Sequence, residues 1–312
     1  MKKPISILIG LLLLSLLLTY VLIPTVIVIR KSTLVSNNQK GLVRSLSDST
    51  GWKQWWPGLI EGEKLMLDEK VYRVTDHTFS TVMLDIHQKD KTVKSSLNII
   101  ALSTDSTKLQ LVATMPASYN PYKRMTTYLL ARAVSNDFAK ILEAAKSYYN
   151  NSESIYGLDI RMESVKNPWL IFTTDSSRGY PSTEKIYGMI ANLRKYIANN
   201  NALAVDSPML NIDTNDSSLY LTKVAIPTDR KLPSAGNIQY RWMLEGGNIL
   251  SAEVKGGNQK VNTGLQSVQR YVQDYELVAP AIPFYALLTN RQAQPDSSKW
   301  VTKIFYPIMY FK

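Results

Sequence analysis

Apolar and polar positions fall into three regimes along the 312 residues of the chain. Residues 4–29, "PISILIGLLLLSLLLTYVLIPTVIVI", carry no charge. Apolar residues then alternate with polar ones in "TVIVIRKSTLVS", "KVYRVTDHTFSTVMLDIHQ", "VKSSLNIIALSTD" and "TKLQLVATMP", the period-two signature of half-buried strands. The period lengthens toward 3.6 in "PYKRMTTYLLARAVSNDFAKILEAAKSYYNN", which predicts a long helix with Met125, Leu129, Phe138, Ile141, Leu142 and Ala145 near one face. Between the first strand and the others, "NNQKGLVRSLSDSTGWKQWWPG" predicts a short amphipathic helix with Leu42, Val43 and Leu46. It breaks at Gly51 and runs into Trp52, Trp55 and Trp56. The polar, turn-rich "NNSESIYG" then marks a boundary.

Beyond it the chain repeats itself. An offset of 75 residues aligns "LRKYIANNNALAVDSPML" with "VQRYVQDYELVAPAIPFY", so that Tyr196 meets Tyr271 and Pro208 meets Pro283. Extra residues around "QPDSS" move the offset to 80 and pair "LTKVAIP" with "VTKIFYP", bringing Thr222, Lys223 and Pro227 onto Thr302, Lys303 and Pro307. Each half reads strand, helix, strand, strand. The first runs through "DIRMESVKNPWLIFTTD" and the second through "IQYRWMLEGGNILSAEVK". Strand parity puts Leu219, Leu221, Lys223 and Ala225 on one face of one strand, and Val301, Lys303 and Phe305 on one face of its repeat.

The uncharged run ends its helix at Pro24, leaving Ile5 to Ile23. At about 1.5 Å per residue this matches a bilayer core of about 30 Å. A cleaved signal peptide shares the basic start, Lys2 and Lys3, but the run lacks a small-x-small cleavage site near its end. A retained anchor is therefore expected over residues 1–24, with the rest of the chain outside the cytoplasm by the slight bias of flanking charge.

The chain has no cysteine, which removes disulfides, thiolate nucleophiles and zinc-thiolate sites. Its only histidines, His77 and His87, leave little room for a Ser-His-Asp or multi-histidine metal site. No cofactor and no metal are expected. The net charge of +11 divides into +2 on residues 1–3, +6 on residues 30–151 and +3 on residues 152–312, without a basic cluster. Nucleic acid binding needs a patch rather than a total, so no nucleic acid partner is expected; an anionic membrane nearby accounts for the surplus. "EGGN" and "KGGN" read as turn chemistry, not a phosphate loop, and "NIDTNDSS" as a hairpin turn.

Opening strand, "SLSDSTGWKQWWP", antiparallel strands and a terminal "DFAKILEAAKSYY" resemble the polyketide cyclase and START-like (SRPBCC) superfamily over residues 25–151. The resemblance implies a helix-grip fold whose curved sheet encloses an apolar ligand cavity around the last helix. The tryptophans would plug that cavity or, alternatively, anchor at the membrane interface. Residues 152–312, with "RGYPSTEKIYGMIANLRKYI" and the two proline-ended strands, resemble the GyrI-like (gyrase-inhibitor-like) effector-binding domain. That resemblance implies a pseudo-twofold pair of βαββ units closing a cleft around a small molecule. A glutamate often stands four residues before the closing proline in that family; here both equivalents are lysines.

The resulting expectation is an α+β protein with an anchor, a START-like domain and a GyrI-like domain, acting as a membrane-anchored binder of a hydrophobic or amphipathic small molecule. The candidate ligand contacts are Lys223, Lys303, Phe305, Leu221, Trp242 and Tyr180. Alternatively, the two lysines are ion-pair partners of Glu163, Glu245 or Glu253, because a buried ammonium needs an anion. A cyclase- or hydrolase-type enzyme and a signalling partner of another membrane protein are the rival functions.

Overall fold

A computed structural model describes residues 10, 14–48, 50–216 and 219–309. The chain divides into two units, residues 1–151 and 152–312. Residues 14–22 are helical, but no helix among the described residues is long and apolar enough to cross a membrane. The span expected over Ile5–Ile23 includes residues 5–9 and 11–13, which lie outside those described.

In the first unit, β1 (Val26–Val35) leads through α1 (Gln39–Ser47) to β2 (Leu59–Glu61), β3 (Lys64–Leu67), β4 (Lys70–His77), β5 (Thr81–Gln88), β6 (Lys91–Ala101) and β7 (Thr107–Pro116). The unit closes with α2 (Pro121–Tyr149). The seven strands form one antiparallel sheet in the order β1-β7-β6-β5-β4-β3-β2. Alternation decides which side chains face inward: Leu109, Leu111, Ala113 and Met115 of β7 are buried while their neighbours are less so. Asn120 caps α2 by accepting from the Lys123 amide, with Pro121 preset for the first turn. The buried stripe of α2 runs through Leu130, Val134, Phe138, Ile141, Leu142 and Ala145. Met125 and Leu129, expected on that face, are exposed, because the stripe passes through Leu130 one position further on.

Where the helix-grip resemblance implies a ligand cavity, three indoles fill the interior. Trp52, Trp55 and Trp56 are all buried, with ring centroids 5.0, 6.1 and 6.2 Å apart. Trp55 meets Tyr149 edge-on at 5.8 Å, and Trp56 lies 5.2 Å from Tyr72. Trp52 Nε1 donates to the Leu46 carbonyl and Trp56 Nε1 to that of Met66. The interfacial role considered for these rings is thereby overturned: they are core. His77 is exposed, and His87 Nδ1 sits 2.9 Å from Thr92 Oγ1.

The second unit comprises β8 (Arg161–Ser164), β9 (Trp169–Ser177), α3 (Thr183–Asn199), β10 (Met209–Asp216), β11 (Leu219–Pro227), β12 (Ile238–Trp242), β13 (Asn248–Lys255), α4 (Asn258–Asp274), β14 (Phe284–Leu287) and β15 (Val301–Pro307). Its antiparallel sheet has the order β12-β9-β11-β10-β14-β15-β13-β8, with the β10–β14 pair at the pseudo-twofold centre. The two leading strands expected from the repeat each break in two. The first piece crosses over: β8 pairs with β13 of the second half, and β12 with β9 of the first. "KGGN", expected as a turn beside a strand, provides the start of α4, with Gly257 as its N-cap. One face of the sheet is closed in two cores, Ile186, Ile190 and Leu193 of α3 on Val224 and Ile226, and Val261, Val268 and Val272 of α4 on Leu250, Val254 and Ile304.

Candidate functional site

With Thr222, Val224 and Ile226 committed to the α3 core, the pleat turns Lys223 and Ala225 to the opposite face of the sheet. The same applies to Lys303 and Phe305 around Thr302 and Ile304. On that face lies a hollow of about 870 Å³, walled by Phe172, Met209, Trp242, Ile249, Ile282 and Phe284. Lys223, Asn211 and Arg241 interrupt its apolar lining. A smaller hollow of about 270 Å³ adjoins it, shares Met209, Ile249 and Phe284, and holds Glu163, Lys303 and Phe305.

The two lysines occupy equivalent positions in the repeat but different surroundings. Lys303 Nζ lies 2.7 Å from Glu163 Oε1 and 5.1 Å from the centre of the Phe305 ring, which itself packs on Phe284 at 5.2 Å. Ser251 Oγ donates to the same carboxylate oxygen at 2.6 Å. Burial pushes the Glu163 pKa up, but the hydrogen bonds from Lys303 and Ser251 outweigh it and hold the carboxyl below its ordinary value. Lys303 is thus an ion-pair partner of Glu163. Lys223 makes no ion pair among the described residues; its cross-strand neighbours are Asn211 and Thr174.

The strand registers explain the difference. Val224 pairs with Thr173 of β9, and its repeat mate Ile304 with Ala252 of β13. Three residues back along those strands stand Leu170 and Ile249, which pair with Arg241 of β12 and Glu163 of β8. Arg241 therefore occupies, beside Lys223, the place that Glu163 occupies beside Lys303. Its guanidinium carbon lies 5.1 Å from the Phe172 ring centre. Glu245 also lines the larger hollow, but it is exposed and paired with neither cation.

Asn211 adds a second polar feature. Its amide nitrogen donates to the Pro283 carbonyl at 2.9 Å, which fixes the amide orientation and leaves Oδ1 buried without a hydrogen-bond partner among the described residues. Such an orphan acceptor costs about 1–3 kcal/mol.

Of the residues named from sequence, Lys223 and Trp242 line the larger hollow, and Lys303 and Phe305 the smaller. Leu221 shares the face of Lys223 but lies toward the hairpin, outside either lining. Tyr180 packs edge-on against Tyr220 at 5.8 Å, and the parity of Tyr220 places that pair on the helix side of the sheet, away from both hollows. Burial, foremost, raises the Tyr180 phenol above its ordinary pKa. The sequence reading missed Asn211, Arg241, Phe172 and Phe284. A lone Asn amid the apolar positions of "MLNI" was the available signal for the first.

No protein-family model matches the sequence, and no curated protein matches it. Among solved structures, the chain is similar to the C-terminal domain of EcmrR, with a TM-score of 0.40 and 11% identity over 49% of this chain and 99% of that one. It is similar to SAV2435 bound to tetraphenylphosphonium, with a TM-score of 0.32 and 12% identity over 48% and 93%. It is also similar to a START superfamily protein from Mycobacterium smegmatis, with a TM-score of 0.27 and 17% identity over 38% and 97%.

Proposed function

We propose that the second unit is a small-molecule-binding module whose ligand is an amphipathic anion, and that residues 5–23 hold the chain at a membrane. The observation that carries the ligand class is the exchange of Glu163 for Arg241 at equivalent positions of the repeat. It gives Lys303 of the smaller hollow a carboxylate partner and gives the larger hollow two cations, Lys223 and Arg241, against the exposed Glu245. An apolar ligand body fits among Phe172, Met209, Trp242 and Phe284, with its negative end toward Lys223 and a donor group toward Asn211 Oδ1. The uncharged run and the exposed leucines of the helix at 14–22 support the anchor.

Tetraphenylborate and tetraphenylphosphonium, nearly identical in shape and opposite in charge, test the ligand class by calorimetric titration of the detergent-solubilised chain. At an effective dielectric of about 20, one charge about 4–6 Å from that of the ligand contributes on the order of 3–4 kcal/mol before desolvation, so a preference for the borate of about tenfold or more is expected. Lys223→Glu reverses the preference. Equal affinity for the two ions in both proteins would remove the charge argument.

A further inference from the structure

The first unit has an apolar surface that its own core does not use, and it surrounds the point where helix 14–22 joins the sheet. The carbonyl of Ile23, just past that helix, accepts from Arg124 Nε at 3.0 Å and also from Arg124 Nη2. Arg124 is buried, has no carboxylate partner among the described residues, and stacks its guanidinium 5.0 Å from the centre of the Tyr20 ring. The Tyr20 hydroxyl donates to the carbonyl of Tyr119. The end of the helix and the start of α2 are thus clamped together.

Around the clamp the side chains point outward and are large. Tyr119 is 86% and Tyr122 77% exposed, and Met125, Tyr128 and Leu129 are exposed beside them. Met125 and Tyr128 also wall a hollow of about 430 Å³ against Leu14, Leu18 and Leu22. The start of α2 is therefore apolar on two sides, one toward the sheet and one toward helix 14–22, with Tyr119, Tyr122 and Leu129 exposed beyond it. Exposed lysines stand at the same end: Lys123 on α2, and Lys89 and Lys91 at the β5–β6 turn. The registers Val26 to Pro116 and Ser95 to Ala113 bring that turn to the end of the sheet where β1 begins. Phe79, on the β4–β5 turn, lies at the opposite end.

Tyrosine places an apolar ring and a polar tip together, which suits the headgroup level of a bilayer, and lysine extends from there to lipid phosphate. The geometry points to a membrane-contacting collar. Tyr119, Tyr122, Met125, Tyr128 and Leu129 rest at the headgroup–acyl boundary of the bilayer that receives helix 14–22, with Lys89, Lys91 and Lys123 toward its phosphates. This rests on the anchor reading above and goes beyond it by fixing which end of the first unit faces the lipid.

The absence of cysteine makes single-site labelling clean. The full chain carrying Leu17→Cys, Tyr122→Cys, Leu129→Cys or Phe79→Cys is labelled with an environment-sensitive fluorophore. Each variant is reconstituted into vesicles of phosphatidylcholine and phosphatidylglycerol in equal parts, with doxyl quenchers placed near the headgroup or near the chain end. The collar requires that labels at 122 and 129 be quenched best by the shallow doxyl, the label at 17 by the deep one, and the label at 79 by neither. If 17 is quenched while 122 and 129 behave like 79, the collar is wrong and the anchor stands. No quenching at 17 overturns both. A blue shift at 122 and 129 that follows protein concentration without lipid assigns the surface to a second copy of the chain and likewise overturns the collar.

Discussion

Lys70 and Asp137 form an ion pair 2.9 Å long in the interior of the first unit, with side chains 4% and 1% exposed. Tyr72 donates to the same Asp137 oxygen at 2.6 Å, and the other carboxylate oxygen has no hydrogen-bond partner among the described residues. Burial first, and then the hydrogen bond to Asp137, raise the Tyr72 phenol above its ordinary pKa, so it stays a donor at any physiological pH. Removing one charge leaves the other buried and unpaired, which costs about 3–5 kcal/mol. Lys70→Met should cost about that much. Asp137→Leu should cost more, because it also orphans the Tyr72 hydroxyl, worth a further 1–3 kcal/mol or so.

Replacing both charges is different in kind. The desolvation penalty of the pair disappears with the pair, and apolar substitution of buried ion pairs is often neutral or stabilising. The Lys70→Met, Asp137→Leu double variant should therefore unfold at a higher temperature than either single variant, losing only the Tyr72 hydrogen bond. At roughly 2–4 °C per kcal/mol for a unit of this size, Lys70→Met should melt about 6–20 °C below the parent, and Asp137→Leu lower still. The near-ultraviolet circular dichroism of the Trp52, Trp55 and Trp56 cluster reports the transition, since Trp56 packs directly on Tyr72. Should Asp137→Leu fail to fold, rescue of Lys70→Met by the second substitution still decides the matter. A double variant whose loss equals the sum of the single losses would show that the two charges do not interact and would refute the reasoning.

The ion pair in the second unit and the tyrosine at the end of α2 give two more tests. Glu163→Gln frees the Lys303 ammonium of its counter-charge, so the two adjoining hollows together become more positive. Tetraphenylborate should bind several-fold more tightly and tetraphenylphosphonium more weakly; unchanged titrations would mean that the smaller hollow takes no part in binding. Burial, the largest cause, pushes the Tyr149 phenol from 10.0 up to about 12. The folded state therefore holds this proton where the unfolded chain has lost it, and about 2–3 kcal/mol of stability present below pH 10 should disappear as the pH rises toward 12. Tyr149→Phe should lose less over that interval in pH-dependent unfolding, and identical slopes for the two proteins would count against the assignment.

The elements were legible in the sequence because their periods differ. Two-residue alternation marked the strands of the first unit, and the longer period marked α2. Periodicity places residues relative to one another along an element but does not place the element on its neighbour, which is why Met125 and Leu129 were expected inside: a stripe shifted by one position satisfies the same spacing. The Trp turn failed in the opposite direction. Three indoles within five residues fit a membrane interface as well as a core, and only their packing against Tyr72 of β4 and Tyr149 of α2 makes them core.

The site was legible to the extent that it follows from parity, and illegible where it depends on strand exchange. Alternation within "LTKVAIP" and "VTKIFYP" is enough to turn both lysines away from the helices. Whether each finds an acid depends on β8 and β12, which precede their own halves in sequence and pair with the opposite ones in space. A reader of the repeat alone places Glu163 near the first lysine, because both belong to the first half; the exchange carries it to the second. It also carries Arg241 to Lys223, so one crossover both neutralises Lys303 and concentrates positive charge around Lys223. Two copies of one βαββ pattern acquire opposite electrostatics without any change in the strands that bear the lysines. The asymmetry resides in the added outer strands, and substitutions on β8 or β12 are therefore the ones that should change ligand charge preference with least disturbance to the core.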